Sequence, residues 1–238
     1  MLKIGKSELG RKPRIAITVT DREDSPAIKA AHPDILEIRI DQFRKLGPDY
    51  VRNIITSKRK AGLPLILTVR SQEEGGQRRI SDKVKLDFFR ANISLVDAVD
   101  IELKSPLLNE IIHLAKKNKK ISLISWHNFK ATPDEQALSK ILLRAKKKGG
   151  DIVKIAAWAR TMEDVIRLAR WTLENKARNL ITISLGGLGS ISRLLFPLLG
   201  SLITYAYIRK PIAPGQIPLE ELREHLRLYY SGKNAKEN

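Results

Sequence analysis

Eight short apolar runs, spaced roughly twenty to thirty residues apart, constrain the fold more than any other feature of the chain. They are RIAITVT (14–20), ILEIRI (35–40), LPLILTV (63–69), DAVDIEL (97–103), KISLISW (120–126), DIVKIA (151–156), LITISL (180–185) and LITYAY (202–207). Each has the length of a strand and is bounded by turn or helix signals. Between them lie segments with helical spacing: DYVRNIITSKRK, SDKVKLDFFRANISL, SPLLNEIIHLAKKN, TPDEQALSKILLRAKKK and TMEDVIRLARWTLENK. A shorter one follows around SISRLLFPLLG, and a last helix follows Pro218 in PLEELREHLRLYY. Two of the starts carry capping chemistry, Thr132-Pro133-Asp134-Glu135 and Thr161 with Asp164 three positions on.

Strand and helix therefore alternate throughout, with short connections, no linker and no break in composition. Eight such units match a closed α/β architecture, the (β/α)8 TIM barrel, as a single catalytic domain over residues 1–238. A doubly wound open sheet is the other arrangement that the alternation allows. No internal repeat points to a solenoid.

Composition fits that reading. A chain of 238 residues lies in the range that α/β barrels fill as one domain, and 42% hydrophobic against 29% charged residues is a globular balance. There is no cysteine, which excludes disulfides, thiolate nucleophiles and Cys-containing metal sites and fits a reducing cytoplasm. The opening MLKIGKSELGRKPRIAITV holds no apolar run of signal-peptide length, and no later stretch approaches about twenty apolar residues, so export and a membrane span are not expected. The formal charge of +18 invites a nucleic-acid reading, but its residues are spread over helix faces such as KKNKK (116–120) and RAKKKGG (144–150). Aromatics make up only 5%, so platforms for stacking bases are scarce. The charge suits life at high temperature equally well, and it would draw in a small anionic substrate.

The strands carry charges where a barrel should be apolar. Alternate residues of a barrel strand point inward and outward. In ILEIRID, Leu36, Ile38 and Ile40 then face the helices, and Glu37, Arg39 and Asp41 point in. In LTVR, Thr68 and Arg70 share a face; in VDIEL, Asp100 and Glu102 do; in SWHNF, His127 sits just past the strand end. In DIVKIA, Val153 and Ile155 face outward, so Lys154 points in with Ile152 and Ala156. Five neighbouring strands thus contribute Glu37, Arg39, Arg70, Glu102, His127 and Lys154 to a ring at the face where barrel enzymes keep their active sites. A single such pair reads as a structural ion pair; the repetition on five strands reads as a site. Burial and the charges of Arg39 and Arg70 lower a lysine's pKa, carboxylates raise it, and a lysine held partly neutral is a nucleophile toward ketones.

With the motifs LEIRID, TVRSQEEGG, VDIEL, SWHNFKATP, DIVKIA, ITISLGGLGSISR and APGQI in this order, the chain resembles the type I 3-dehydroquinate dehydratase family over nearly its whole length. The resemblance implies conversion of 3-dehydroquinate to 3-dehydroshikimate and water, in the shikimate pathway of aromatic amino-acid biosynthesis, with no metal or diffusible cofactor. It implies that Lys154 forms an imine with the ring ketone and that His127 is general base and general acid. It further implies that Glu74 orients the histidine, that Arg193 binds the substrate carboxylate through its guanidinium fork, and that Glu37, Arg39, Arg70, Ile212 and Gln216 belong to the substrate-binding set. Homodimers are usual in the family. Two positions depart from its pattern: Leu185 stands where methionine is usual, a swap of similar apolar shape, and Ile212 where serine is usual, which removes a hydroxyl from the loop expected to close over the substrate. That loop is RKPIAPGQIP.

Other features of the sequence point elsewhere. His32, His113 and His225 have no partners at ligand spacing, and no HxH, HExxH or Asp/His cluster appears, so a catalytic metal is not expected. GGLG (186–189) follows a strand as a phosphate-binding turn would, but it lacks the Lys-Ser/Thr of a P-loop and the GxGxxG order; close backbone packing before a helix is the simpler reading. A class I aldolase is the enzymatic alternative, set against by HNF and APGQ together, and a basic RNA-binding barrel without catalysis is favoured by charge alone.

Overall fold

The computed structural model describes residues 2–230. It begins with an antiparallel hairpin, β1 (Lys3–Ile4) and β2 (Ser7–Glu8). Eight parallel strands follow: β3 (Arg14–Val19), β4 (Ile35–Arg39), β5 (Leu65–Thr68), β6 (Ala98–Glu102), β7 (Ile121–Asn128), β8 (Ile152–Trp158), β9 (Leu180–Leu185) and β10 (Ile203–Tyr207). One helix follows each strand in turn: α1 (Ser25–Ala31), α2 (Pro48–Arg59), α3 (Asp82–Asn92), α4 (Leu108–Lys117), α5 (Glu135–Lys147), α6 (Met162–Glu174), α7 (Ser192–Leu198) and α8 (Leu219–Tyr230). The ladder runs unbroken from β3 to β9, and β10 pairs with β3. Between β9 and β10 the Leu202 N–H donates to the Leu180 carbonyl at 2.8 Å and the Thr182 N–H to Ser201 Oγ at 3.0 Å. The sheet therefore curls round into a (β/α)8 barrel.

Two apolar layers follow from the alternation. Leu36, Ile38, Leu67, Val99, Ile101, Val153 and Ile155 point outward and pack under the helices. Ile35, Ile66, Ala98, Leu123, Ile152, Ile181 and Ile203 point inward and fill the barrel, and Ile4 and Leu9 of the hairpin region join them. The inner filling thus belongs to the N-terminal half of the strands. Polar residues occupy the C-terminal half, including Glu37, Thr68, Asp100, Ser125 and Lys154, all buried.

Some local details depart from the sequence reading and others follow it. Helix α1 lies in DREDSPAIKAAHP, which lacks a long apolar period; it is only 7 residues, buries Ile28 alone, and is set by an Asp24 cap on Ala27 N–H with Pro26 in the first turn. Strand β7 runs on to Asn128, so His127 is within the strand, paired opposite Ala156 of β8. Strand β4 stops at Arg39, and Asp41 sits in a 3-10 turn where it is fully buried. GGLG is a packing turn: a Cβ on Gly189 would meet the Ser184 backbone at 2.5 Å. No helix among the described residues is long and apolar enough to cross a membrane.

The Thr161–Asp164 capping box forms as the sequence indicates, with Asp164 also accepting from Arg160 N–H at 2.9 Å and from Arg167 at 2.8 Å. Thr161→Ala should cost about 1 kcal/mol, read as a fall of about 2–4 °C in the melting temperature. An unchanged melting temperature would show that the Asp164 bonds alone hold the start of α6.

Candidate active site

Lys154 lies midway along β8 with apolar neighbours on either side, and the two-residue period turns it into the barrel, where it is 5% exposed. Its Nζ is 3.2 Å from Glu37 Oε1 and 3.4 Å from Asp100 Oδ2, and it stands 4.3 Å above the centre of the Tyr205 ring. Glu37 is fixed in turn by Thr68 Oγ1 at 2.9 Å.

Arg70 holds the carboxylates apart. Its Nη2 donates to Asp100 at 2.8 Å and its Nη1 to Ser125 Oγ at 2.7 Å, with Glu102 3.2 Å away. Burial opposes its charge, but Asp100, Glu102 and Glu37 outweigh that and raise its pKa further. Burial likewise works against the Asp100 carboxylate, and the charges of Arg70 and Lys154 overcome it and hold its pKa below the usual range.

On the other side of the cavity, Glu74 Oε2 accepts from the His127 backbone N–H at 3.0 Å and lies 2.9 Å from His127 Nδ1. Burial, then the Arg70 and Lys154 charges, push the imidazole well below its ordinary pKa, so it is neutral at physiological pH. In its ionised form Glu74 can only accept, and in that form the ring proton sits on Nδ1 and the lone pair on Nε2. Burial pushes the Glu74 carboxyl itself up to about 7, with Arg70 opposing and Glu102 adding to the rise. The turn that carries Glu74 returns tightly on β5: a Cβ on Gly76 would lie 2.2 Å from the Arg70 carbonyl, so only glycine fits there. Phe129 stacks on the imidazole, with ring centres 6.4 Å apart and planes 14° from parallel.

Arg193, in the first turn of α7, is 1% exposed. Its Nε donates to the Gly215 carbonyl at 3.4 Å, and its buried Nη1 has no hydrogen-bond partner. Burial brings its pKa down to about 10, which still leaves it charged. Above it, Gln216 Oε1 accepts from the N–H groups of Ile212 and Ala213 at 2.6 and 3.1 Å, folding the segment before β11 (Ile217–Pro218) into a roof.

Glu37, Arg39, Arg70, Glu74, His127, Lys154, Arg193, Ile212 and Gln216 all line one cavity of about 90 Å³, together with Leu185. The ring read from the sequence needs one correction. Glu102 lies behind Arg70, where it pairs with Lys85 of α3 at 2.7 Å and accepts from Ser71 N–H at 2.8 Å, and it does not reach the cavity. Asp100 takes its place beside the lysine. Arg39 borders the cavity with its fork committed to Asp41, at 2.8 Å for each bond. His32, His113 and His225 are exposed on or beside helices.

The profile of type I 3-dehydroquinase matches residues 15–233. The chain belongs to the type I 3-dehydroquinase family. The 3-dehydroquinate dehydratase of Aquifex aeolicus is 39% identical over 220 residues, covering 91% of this chain and 98% of that one. That of Methanocella arvoryzae is 36% identical over 216 residues, 91% and 96% of the two chains. Among solved structures, the Aquifex aeolicus VF5 enzyme superposes with a TM-score of 0.82 at 38% identity, covering 91% and 99%. The type I 3-dehydroquinate dehydratase of Clostridium difficile, solved with covalently modified comenic acid, reaches a TM-score of 0.90 at 29% identity, covering 97% and 98%. A type I 3-dehydroquinase is a hydro-lyase, and the chain is an enzyme of that class.

For this 3-dehydroquinase the Glu74 carboxyl gives a signed test. Its pKa in the folded state is raised from the ordinary 4.5 of a glutamate to about 7, so the folded protein binds the proton more tightly, and ionising the group costs stability as pH rises through that interval. Glu74→Gln has no such ionisation. Its stability relative to wild type should improve by roughly 2–3 kcal/mol between pH 5 and pH 8 in urea titrations. A difference that stays flat with pH would mean that Glu74 titrates as an ordinary carboxyl.

Proposed function

We propose that the chain removes water from 3-dehydroquinate to give 3-dehydroshikimate through an imine on Lys154, acting over residues 1–238 as one catalytic domain in the cytoplasmic shikimate pathway that leads to aromatic amino acids. The observation that carries this reading is the convergence on one cavity of a buried lysine, a neutral histidine oriented by a carboxylate, and a buried arginine with an uncommitted donor.

The chemistry follows from those groups. The free amine of Lys154 attacks the ring ketone, and the carbinolamine loses water to form a protonated imine. That imine draws electron density from the neighbouring carbon and acidifies its C–H bond. His127 Nε2, left with a lone pair by the Nδ1–Glu74 contact, takes the proton. The resulting enamine expels the β-hydroxyl, which leaves as water with the proton returned by His127. Hydrolysis of the imine then releases the product and the lysine, so one water is lost in net. Arg193 holds the substrate carboxylate. Glu37, Arg39, Arg70 and Gln216 surround the ring and its hydroxyls, and Ile212 covers them. The residues supply acid, base and nucleophile themselves, and the reaction requires no cofactor. As in the family, the working unit is a homodimer.

Borohydride added during turnover of 3-dehydroquinate should reduce the imine and leave a mass increase on the peptide that contains Lys154. An unmodified lysine under those conditions removes the mechanism. In His127→Ala the same adduct should still form while turnover falls by roughly 10²–10⁴-fold, and near-normal turnover would take the histidine out of its role.

A further inference from the structure

Tyr205 is absent from every role assigned so far, yet its ring lies directly beneath the Lys154 ammonium and borders the cavity. It is 3% exposed, and its hydroxyl has no hydrogen-bond partner. Among the described residues, five buried side-chain polar atoms are without a partner: Asp21 Oδ1, Asn92 Oδ1, Ser184 Oγ, Arg193 Nη1 and Tyr205 Oη. The last two alone belong to residues that line this cavity. Buried polar groups are ordinarily bonded, and one left without a partner at a cavity wall has its explanation in a group that enters the cavity.

The two side chains are held in a fixed relation. Thr204, the neighbour of Tyr205 on β10, turns outward and donates from Oγ1 to the Arg193 carbonyl at 2.9 Å, tying α7 to the strand from which the tyrosine points inward. The Arg193 fork is also incomplete, because Nε is engaged by the Gly215 carbonyl and a side-on clasp of a carboxylate through Nε is therefore not open to it. An anion with several lone pairs needs a further donor, and Tyr205 is the other residue lining the cavity whose buried polar atom has no partner. Burial, reinforced by Glu37 and Asp100, keeps that hydroxyl protonated far above its ordinary range, so it can donate.

We propose that Tyr205 Oη is a second donor to the substrate carboxylate, complementing Arg193 Nη1. The proposal rests on the reading of the cavity as a 3-dehydroquinate site and adds a neutral hydrogen bond to its anion subsite. Its chemistry is that of O–H to carboxylate, stronger than a bond between neutral groups and equally formed in substrate and product.

Tyr205→Phe is the test, since it removes one oxygen and keeps the ring under Lys154. The expected result is a KM raised about ten- to hundredfold with kcat within about threefold, the pattern of lost uniform binding. The melting temperature should be unchanged or higher, because a hydroxyl without a partner contributes nothing to the folded chain. Borohydride trapping on Lys154 should persist at saturating 3-dehydroquinate. An unchanged KM, or a loss confined to kcat, would overturn the proposal, as would a fall in melting temperature with KM unaltered. Failure of trapping in the wild-type enzyme would instead overturn the imine reading beneath it.

Discussion

Arg70 is the tie on which the barrel's polar half depends. Three carboxylates, Glu37, Asp100 and Glu102, and three cations, Arg70, Lys154 and Lys85, are buried together above an apolar filling. Taking any one of them out of water alone would cost several kcal/mol. Arg70 touches Asp100 and Glu102 directly and lies 4.0 Å from Glu37, so it compensates the acids as a group and spaces them. Lys154 then meets two carboxylates that are already oriented. Losing one partner of such a pair costs roughly 3–5 kcal/mol, which is why a lysine can be kept in a strand interior at all.

Much of this was legible in the sequence because a strand has a period of two. Once eight runs are taken as barrel strands, the inward set of ILEIRI and DIVKIA follows from their apolar residues, which must face the helices. What alternation cannot give is which inward residues meet across the barrel. That depends on the stagger between strands, and so the sequence does not distinguish Asp100 from Glu102, two positions apart on one face. The register resolves it: Ser125 pairs with Lys154 and lies opposite Glu102 on β6, while the tilt of the strands brings Asp100 to the lysine. Helix α1 was hidden for a different reason. A helix with a single buried residue has no apolar period to detect, and only Asp24 and Pro26 mark it. Tyr205 drew no reading within the apolar run LITYAY, since a missing hydrogen-bond partner is a property of three dimensions.

The distribution of charge separates two demands on the chain. Inside, acids and bases nearly balance, as burial requires. Outside, lysines such as Lys116, Lys117, Lys147 and Lys148 stand exposed at the ends of helices, where the excess of +18 is hydrated and favourably placed near helix C-termini. The basic surface therefore needs no nucleic-acid partner to explain it, and it sets a positive field around the site proposed to take an anion.

The roof of the cavity shows how a side-chain departure can be absorbed by the backbone. Isoleucine at 212 supplies no hydroxyl, which in the sequence alone reads as a lost contact in the closing loop. In the folded chain the Gln216 carbonyl oxygen is held by two main-chain N–H groups, those of Ile212 and Ala213, and any residue except proline provides such a donor. The turn that brings Gln216 over the cavity is thus independent of the side chain at 212. With Oε1 committed to the loop, the nitrogen is the part of the Gln216 amide left to donate. An apolar cover would suit the imine chemistry proposed above, because water excluded from that position could not hydrolyse the intermediate before the hydroxyl has left.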